Sequence, residues 1–230
     1  MTAVILLDIE GTTTPISFVT DVLFPYAAAA IPSFIAAHHQ RPEVAAAIAL
    51  IAKDANPEER SQHQSPSDLA LAVVRRQMAG DIKATGLKQL QGLVWQHGYE
   101  SGVVRGQVYA DVPAQFRAWT AAGKKVAIYS SGSVLAQKLI FGYSDAGDLR
   151  PYITAYFDTT TGPKREAASY TAIAASLGVA PSEITFATDQ PGEAHAAAAA
   201  GCNAVVLMRP GNAPLPANLP FPVHGDLRVL

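Results

Sequence analysis

The chain has 230 residues, of which 49% are hydrophobic and 16% charged. A chain of that size buries roughly 70% of its unfolded surface, and the composition excludes disorder and low-complexity scaffolds. Seventeen Lys and Arg against nineteen Asp and Glu give a net charge of −2, without the basic excess that a nucleic-acid partner demands. The single cysteine, Cys202, excludes an internal disulfide and a thiolate metal cluster, which suits a reducing cytoplasm.

Residues 3–7, Ala-Val-Ile-Leu-Leu, are a continuous apolar run of the kind buried on both faces of a parallel sheet. The run is cut at Asp8 and lacks a basic leader, so it reads as a strand and not as a signal peptide; no stretch reads as nearing the ~20 apolar residues of a membrane span. About 115 residues separate Asp8 from the next clear strand, residues 125–129, where a crossover needs only a dozen or so. Much of the interval is helical in pattern, over residues 19–37, 42–54, 66–80 and 87–99. The last carries Leu87, Leu90, Leu93, Val94 and Trp95 near helical spacing. These features predict a helical cap, residues 17–102, inserted into a core made of residues 1–16 and 103–230; Trp95 and Phe24 are expected in the cap's core.

Beyond the insertion, helix and strand alternate. A helix over 113–122 stops at Gly123, and strand 125–129 ends in Ser130-Ser-Gly-Ser133. Helices follow over 134–141 and 164–177, the second stopped by Gly178; strand 184–188 ends in Asp189, helix 192–200 stops at Gly201, and strand 204–208 comes last. Such alternation predicts an α/β fold with a doubly wound, mostly parallel sheet whose site lies at the carboxyl ends of the strands. The five prolines between Pro210 and Pro222 predict an irregular surface tail.

The polar residues at the strand ends carry the candidate chemistry. Asp8 and Glu10 share one loop, and two close carboxylates repel unless a cation or proton intervenes; a turn-capping Asp8 with a solvated Glu10 is the plain alternative. Asp189 supplies a third acidic group for a hard cation such as Mg²⁺, or else caps the next helix. One of the three ligands can act through a main-chain carbonyl. Ser130 and Ser131 precede a helix, where hydroxyls and free amides suit an anion, although capping by Ser131 or Ser133 explains the same residues. Lys164 is read as opening its helix, where the macrodipole disfavours a cation, which marks it as a phosphate ligand; an exposed lysine at small cost is the plain alternative. No GxGxxG follows a strand and no P-loop motif occurs. Cys202 is read as a small buried residue, and His195 has no second ligand at metal spacing.

In chain order, Asp8-Ile-Glu-Gly-Thr, Ser130-Ser131, Lys164 and Asp189 resemble the four motifs of the haloacid dehalogenase superfamily. The sequence is most similar to the enolase-phosphatase family of methionine salvage, through residues 7–16 (Leu-Asp-Ile-Glu-Gly-Thr-Thr-Thr-Pro-Ile), 91–95 (Gln-Gly-Leu-Val-Trp), 128–134, 136–139 and 156–164. That resemblance implies Mg²⁺ held by Asp8, Glu10 and Asp189, phosphate held by Ser130, Ser131 and Lys164, and catalysis by Asp8, Glu10 and Lys164. It implies a phosphorylated diketone substrate, 2,3-diketo-5-methylthiopentyl-1-phosphate; composition and charge point to a cytoplasmic enzyme with no nucleic-acid or membrane partner, expected to be a monomer. After Asp189 the chain reads Gln190-Pro-Gly-Glu193 where the family has apolar residues before its next acid, so no role is carried over to Glu193. The rival readings are a general phosphomonoesterase of the same superfamily and a non-enzymatic phospho-receiver domain. A dehalogenase is disfavoured because carbon–halogen cleavage needs no cation site.

Overall fold

The computed structural model describes residues 3–82 and 84–230. The chain forms two units, Met1–Val19 with Arg105–Leu230, and Thr20–Val104. In chain order, strand β1 (Val4–Leu7) leads through a π-helical turn, Phe18–Leu23, into helices α1 (Phe24–His38), α2 (Pro42–Lys53), α3 (Pro57–Gln62), α4 (Pro66–Ala79) and α5 (Thr85–Glu100). The second part runs α6 (Val112–Ala121), β2 (Lys125–Tyr129), α7 (Val134–Gly142), β3 (Ile153–Phe157), α8 (Ala167–Leu177), β4 (Ile184–Thr188), α9 (Pro191–Ala199), β5 (Asn203–Leu207) and β6 (Val223–His224).

The sheet has the order β3-β2-β1-β4-β5-β6, and every pairing is parallel. All four residues of β1 are buried, the consequence of its central place. Val4 and Leu6 pack with Ile184 and Phe186 of β4 and with Tyr170, Ile173 and Ala174 of α8. Ile5 and Leu7, equally buried, turn to the opposite face. Helix ends follow the local chemistry: Gly178 takes the left-handed conformation past α8 (φ 68°), and Pro191 sits at the start of α9.

Two strands escape the sequence reading. β3 lies at the sheet edge with Thr154 exposed and its middle half-buried, so it shows no continuous apolar run. β6 is two residues long, set in the proline-rich tail and paired to β5. The helix expected from residue 164 begins instead at Ala167, because Glu166 is still extended (φ −117°, ψ 130°); Lys164 therefore lies in the preceding turn and not at a helix N-terminus.

In the helical unit, Ala27, Ile31, Phe34 and Ile35 of α1 pack with Val44, Ala47, Ile48 and Ile51 of α2, Val73 of α4, and Leu87, Leu90 and Val94 of α5. The three- and four-residue spacing puts these side chains on one stripe of each helix. α3, absent from the sequence reading, is held by a reciprocal cap in which Asn56 and Glu59 exchange backbone hydrogen bonds. Phe24 is not a core residue: it is 41% exposed and meets Trp95 edge to face at 5.8 Å. One apolar segment, Phe18–His38, is long and apolar enough to cross a membrane by length and composition, contrary to the sequence expectation; its stripe Ala27, Ile31, Phe34 and Ile35 forms part of this core.

Candidate active site

Strands β2 and β3 follow β1 on one side of the sheet, and β4, β5 and β6 build out on the other. The winding reverses between β1 and β4, and a crevice opens outside the carboxyl ends of the strands at such a reversal. Asp8 is the first residue past β1, and Asp189 the first past β4. Parallel pairing with Leu7 opposite Ala187 brings the two strand ends side by side. Ser130 follows β2, the other neighbour of β1. A cavity of about 220 Å³ lies there, lined by Asp8, Glu10, Ser130, Ser131, Lys164 and Asp189 together with Ile16, Arg165, Gln190 and Glu193.

At the centre of its polar network is Lys164, buried, with its Nζ 2.7 Å from Asp8 Oδ1 and 2.7 Å from Glu193 Oε2. Burial alone lowers a lysine pKa; the carboxylates of Asp8 and Glu193 reverse that and hold Lys164 above its ordinary value. Its turn is fixed from the core. Tyr129, Ser169 and Tyr170 donate their hydroxyls to the consecutive carbonyls of Gly162, Pro163 and Lys164, each at 2.7 Å. The Tyr129 ring also lies 5.8 Å from the ammonium.

Asp8 Oδ1 accepts the Ile9 amide at 2.7 Å besides the lysine, while Oδ2 has a 3.4 Å contact from Thr188 Oγ1. Thr188 Oγ1 lies closer to Glu193 Oε2, at 2.8 Å. Burial and then the charge of Asp8 raise the Glu193 pKa. The same two causes, in the same order, push Asp189 up to about 6. Asp189 does not cap α9: Gln190 occupies that position, and its side-chain amide donates to Asp189 Oδ2 at 3.0 Å. Gly11 has φ +68°, and a Cβ there would stand 2.7 Å from Asp189 Oδ2. Ser133 caps α7 by accepting the Ala136 amide, Ser130 Oγ accepts from the Gly132 amide at 3.2 Å, and Ser131 is exposed at the cavity.

All six residues singled out in the sequence thus line one cavity. Glu193, to which the sequence assigned no role, is buried in it and paired with Lys164. Thr188, Tyr129, Ser169 and Tyr170 were missed because nothing in a strand or helix pattern distinguishes a hydroxyl that fixes a loop from one that faces a core. The sequence expectation is Asp8, Glu10 and Asp189 as ligands, one of them able to act through its main-chain carbonyl. Glu10 is exposed, and among the described residues no three His, Cys, Asp or Glu side chains close on one point. The cavity offers a cation the side-chain oxygens of Asp8 and Asp189 beside the Glu10 loop, in a lining with four acidic and two basic side chains. Mg²⁺, which keeps waters and is often held by one or two carboxylates, fits that donor set.

The chain belongs to the haloacid dehalogenase-like hydrolases, whose family model matches residues 2–201. Within that class it is similar to proteins named Enolase-phosphatase E1. The Synechococcus elongatus protein is 51% identical over 213 residues, covering 91% of this chain and 90% of that protein. The Drosophila melanogaster protein is 48% identical over 218 residues, covering 92% and 85%. The crystal structure of the UTR4 protein of Saccharomyces cerevisiae superposes with a TM-score of 0.84 at 38% identity, covering 100% of both chains. A predicted phosphoglycolate phosphatase from Haemophilus somnus shares the fold, with a TM-score of 0.56 at 18% identity.

Proposed function

We propose that the chain is an Mg²⁺-dependent enolase-phosphatase that converts 2,3-diketo-5-methylthiopentyl-1-phosphate into the acireductone 1,2-dihydroxy-3-keto-5-methylthiopentene and phosphate, as a cytoplasmic monomer. The observation that carries this reading is the convergence of Asp8, Glu10, Ser130, Ser131, Lys164 and Asp189 on one cavity in a chain about half identical to proteins of that name. Asp8 and Asp189 would hold the cation through their carboxylates and Glu10 through its main-chain carbonyl. When bound, Mg²⁺ stabilises negative charge on substrate oxygens and on the phosphoryl group. Ser130, Ser131 and Lys164 bind the phosphate.

Glu10 moves the proton that leaves the phosphate-bearing carbon, giving the enol. In the second half an Asp8 carboxylate oxygen attacks phosphorus, and the bond from phosphorus to the substrate oxygen breaks. The departing oxygen is protonated; water then attacks the aspartyl phosphate, releasing inorganic phosphate and restoring the carboxylate. The Lys164 ammonium, 2.7 Å from Asp8 Oδ1, faces the transferred oxygens. The helical unit Thr20–Val104 is, in this reading, the inserted cap.

The test is to incubate the purified protein with the diketone phosphate and Mg²⁺ while following enol absorbance and free phosphate together. Both signals should appear, and chelation should abolish both. Asp8→Asn should release no phosphate and trap no labelled phosphoryl group. Full release by Asp8→Asn, or turnover of simple phosphomonoesters with no enol product, defeats the proposal; the second outcome describes a general phosphomonoesterase.

A further inference from the structure

We propose that the turn closing β5, Arg209-Pro210-Gly211-Asn212, is a positioning device that grips the Asp8 loop by its main-chain carbonyls; this rests on the reading of Asp8 as the nucleophile. The loop after Asp8 turns its amides inward. Those of Thr12, Thr13 and Thr14 all donate to Ile9 O, at 3.1, 2.9 and 2.9 Å, and Gly11 N donates to Thr14 O at 2.8 Å. The carbonyls of Gly11, Thr12 and Thr13 point outward and are taken one after another from outside the loop. Asn212 Nδ2 donates to Gly11 O at 2.9 Å, Arg209 Nε to Thr12 O at 3.1 Å, and Tyr109 N to Thr13 O at 3.0 Å.

These donors are themselves locked together. Arg209 is buried and makes a bidentate pair with Asp111, both contacts at 2.9 Å, and its guanidinium carbon lies 4.4 Å from the centre of the Tyr109 ring. Asp111 also accepts the Leu227 amide at 2.7 Å, and Arg209 donates to Gly225 O at 3.2 Å. Pro at the second position and Gly211 with φ 89° at the third are the signature of a type II turn, and the Asn212 amide bonds back to Arg209 O at 3.1 Å. That turn brings its first and last side chains close enough to grip adjacent carbonyls. Asn212 Nδ2 also donates to Leu207 O at 3.2 Å, tying the grip to the end of β5.

The bracket reaches the reacting groups at Gly11. The point where a Cβ would stand lies 2.8 Å from Asn212 Oδ1 and 2.7 Å from Asp189 Oδ2, so turn, loop and acid bear on one spot. Arg209 and Asn212 are positioning residues: they act through the loop and not on the substrate.

The test compares Asn212→Ala, Asn212→Asp and Arg209→Lys with the parent. Asn212→Asp keeps the shape but puts a carboxylate against two carbonyls. For Asn212→Ala, kcat for phosphate release should fall about tenfold to hundredfold, the effect of a displacement near 1 Å, with KM within about threefold. Asn212→Asp should fall at least as far. Amide exchange of the peptide spanning residues 9–14, measured without substrate, should accelerate about tenfold, the consequence of one lost hydrogen bond near 1.4 kcal/mol, while β2 and β4 stay unchanged. If Arg209→Lys does not fold, the two Asn212 variants decide. Unchanged exchange over 9–14, or faster exchange with kcat within twofold of the parent, overturns the proposal. Exchange does not depend on the reaction, so retained phosphate release by Asp8→Asn would sink the functional reading separately.

Discussion

Replacing Gly11 with Ala separates site geometry from fold stability. At φ +68° a non-glycine residue costs about 1–2 kcal/mol, and the new methyl would stand 2.7 Å from Asp189 Oδ2 and 2.8 Å from Asn212 Oδ1. Restoring an ordinary contact of 3.4 Å requires Asp189 to retreat by roughly 0.7 Å. Displacements near 1 Å at a reacting centre cost on the order of 100-fold in rate. The expected result is a 30- to 100-fold loss of kcat (about 2–3 kcal/mol of barrier) with a melting temperature lower by only about 3–8 °C. Phosphate release and thermal unfolding on the same preparation measure both. A variant that loses a few degrees of stability but keeps kcat within threefold would refute the claim that Gly11 sets the place of Asp189.

Four other outcomes follow from three buried groups. Lys164→Met leaves Asp8 and Glu193 buried beside each other without their cation, which should cost about 3–5 kcal/mol and lower the unfolding temperature of the sheet unit by about 10 °C without divalent metal; a drop under about 2 °C contradicts the pairing. Burial pushes the Cys202 thiol from 9.0 up to about 11, so at pH 8 its thiolate fraction, and with it native-state alkylation, should be about 100-fold below that of the unfolded chain. Because the unfolded thiol ionises first, Cys202 adds stability below pH 9 that is lost as pH rises toward 11; a Cys202→Ala variant with an unchanged alkaline slope argues against it. Gly98→Ala forces a methyl to within 2.6–2.7 Å of the Tyr26 ring, and the helical unit should lose about 1–3 kcal/mol in denaturant unfolding; an unaltered midpoint would show that the ring moves freely.

What could be read from the sequence is what strand burial and loop polarity encode locally. β1, β2 and β4 are continuous apolar runs because both their faces are covered, and each hands over to polar residues in the crevice. β3 escaped because an edge strand with an exposed Thr154 need not be apolar. The argument for Lys164 from the helix dipole failed, since the helix starts three residues later; its pairing with Asp8 and Glu193 depends on chain segments far apart in sequence. Glu193 was hidden for the same reason, its place being set by α9 lying against the crevice. Arg209 and Asn212 carried a signal that went unread: Pro-Gly inside a four-residue stretch is a turn with defined geometry, and the proline-rich composition of the tail obscured it.

Both loops that carry the reactive side chains are held by what their main chain accepts: Gly11, Thr12 and Thr13 in one, Gly162, Pro163 and Lys164 in the other. A carbonyl is common to all twenty amino acids, so the grip is blind to which side chain stands at the gripped position. Residue-by-residue replacement would therefore report Thr12 and Pro163 as dispensable while Asn212, Ser169 and Tyr170 look essential from a distance. Sequence drift at Thr12 and Pro163 is correspondingly cheap, unlike at Gly11 and Lys164, whose backbone angle and ammonium the site itself needs, and the variability of a position in these loops says little about how tightly it is held.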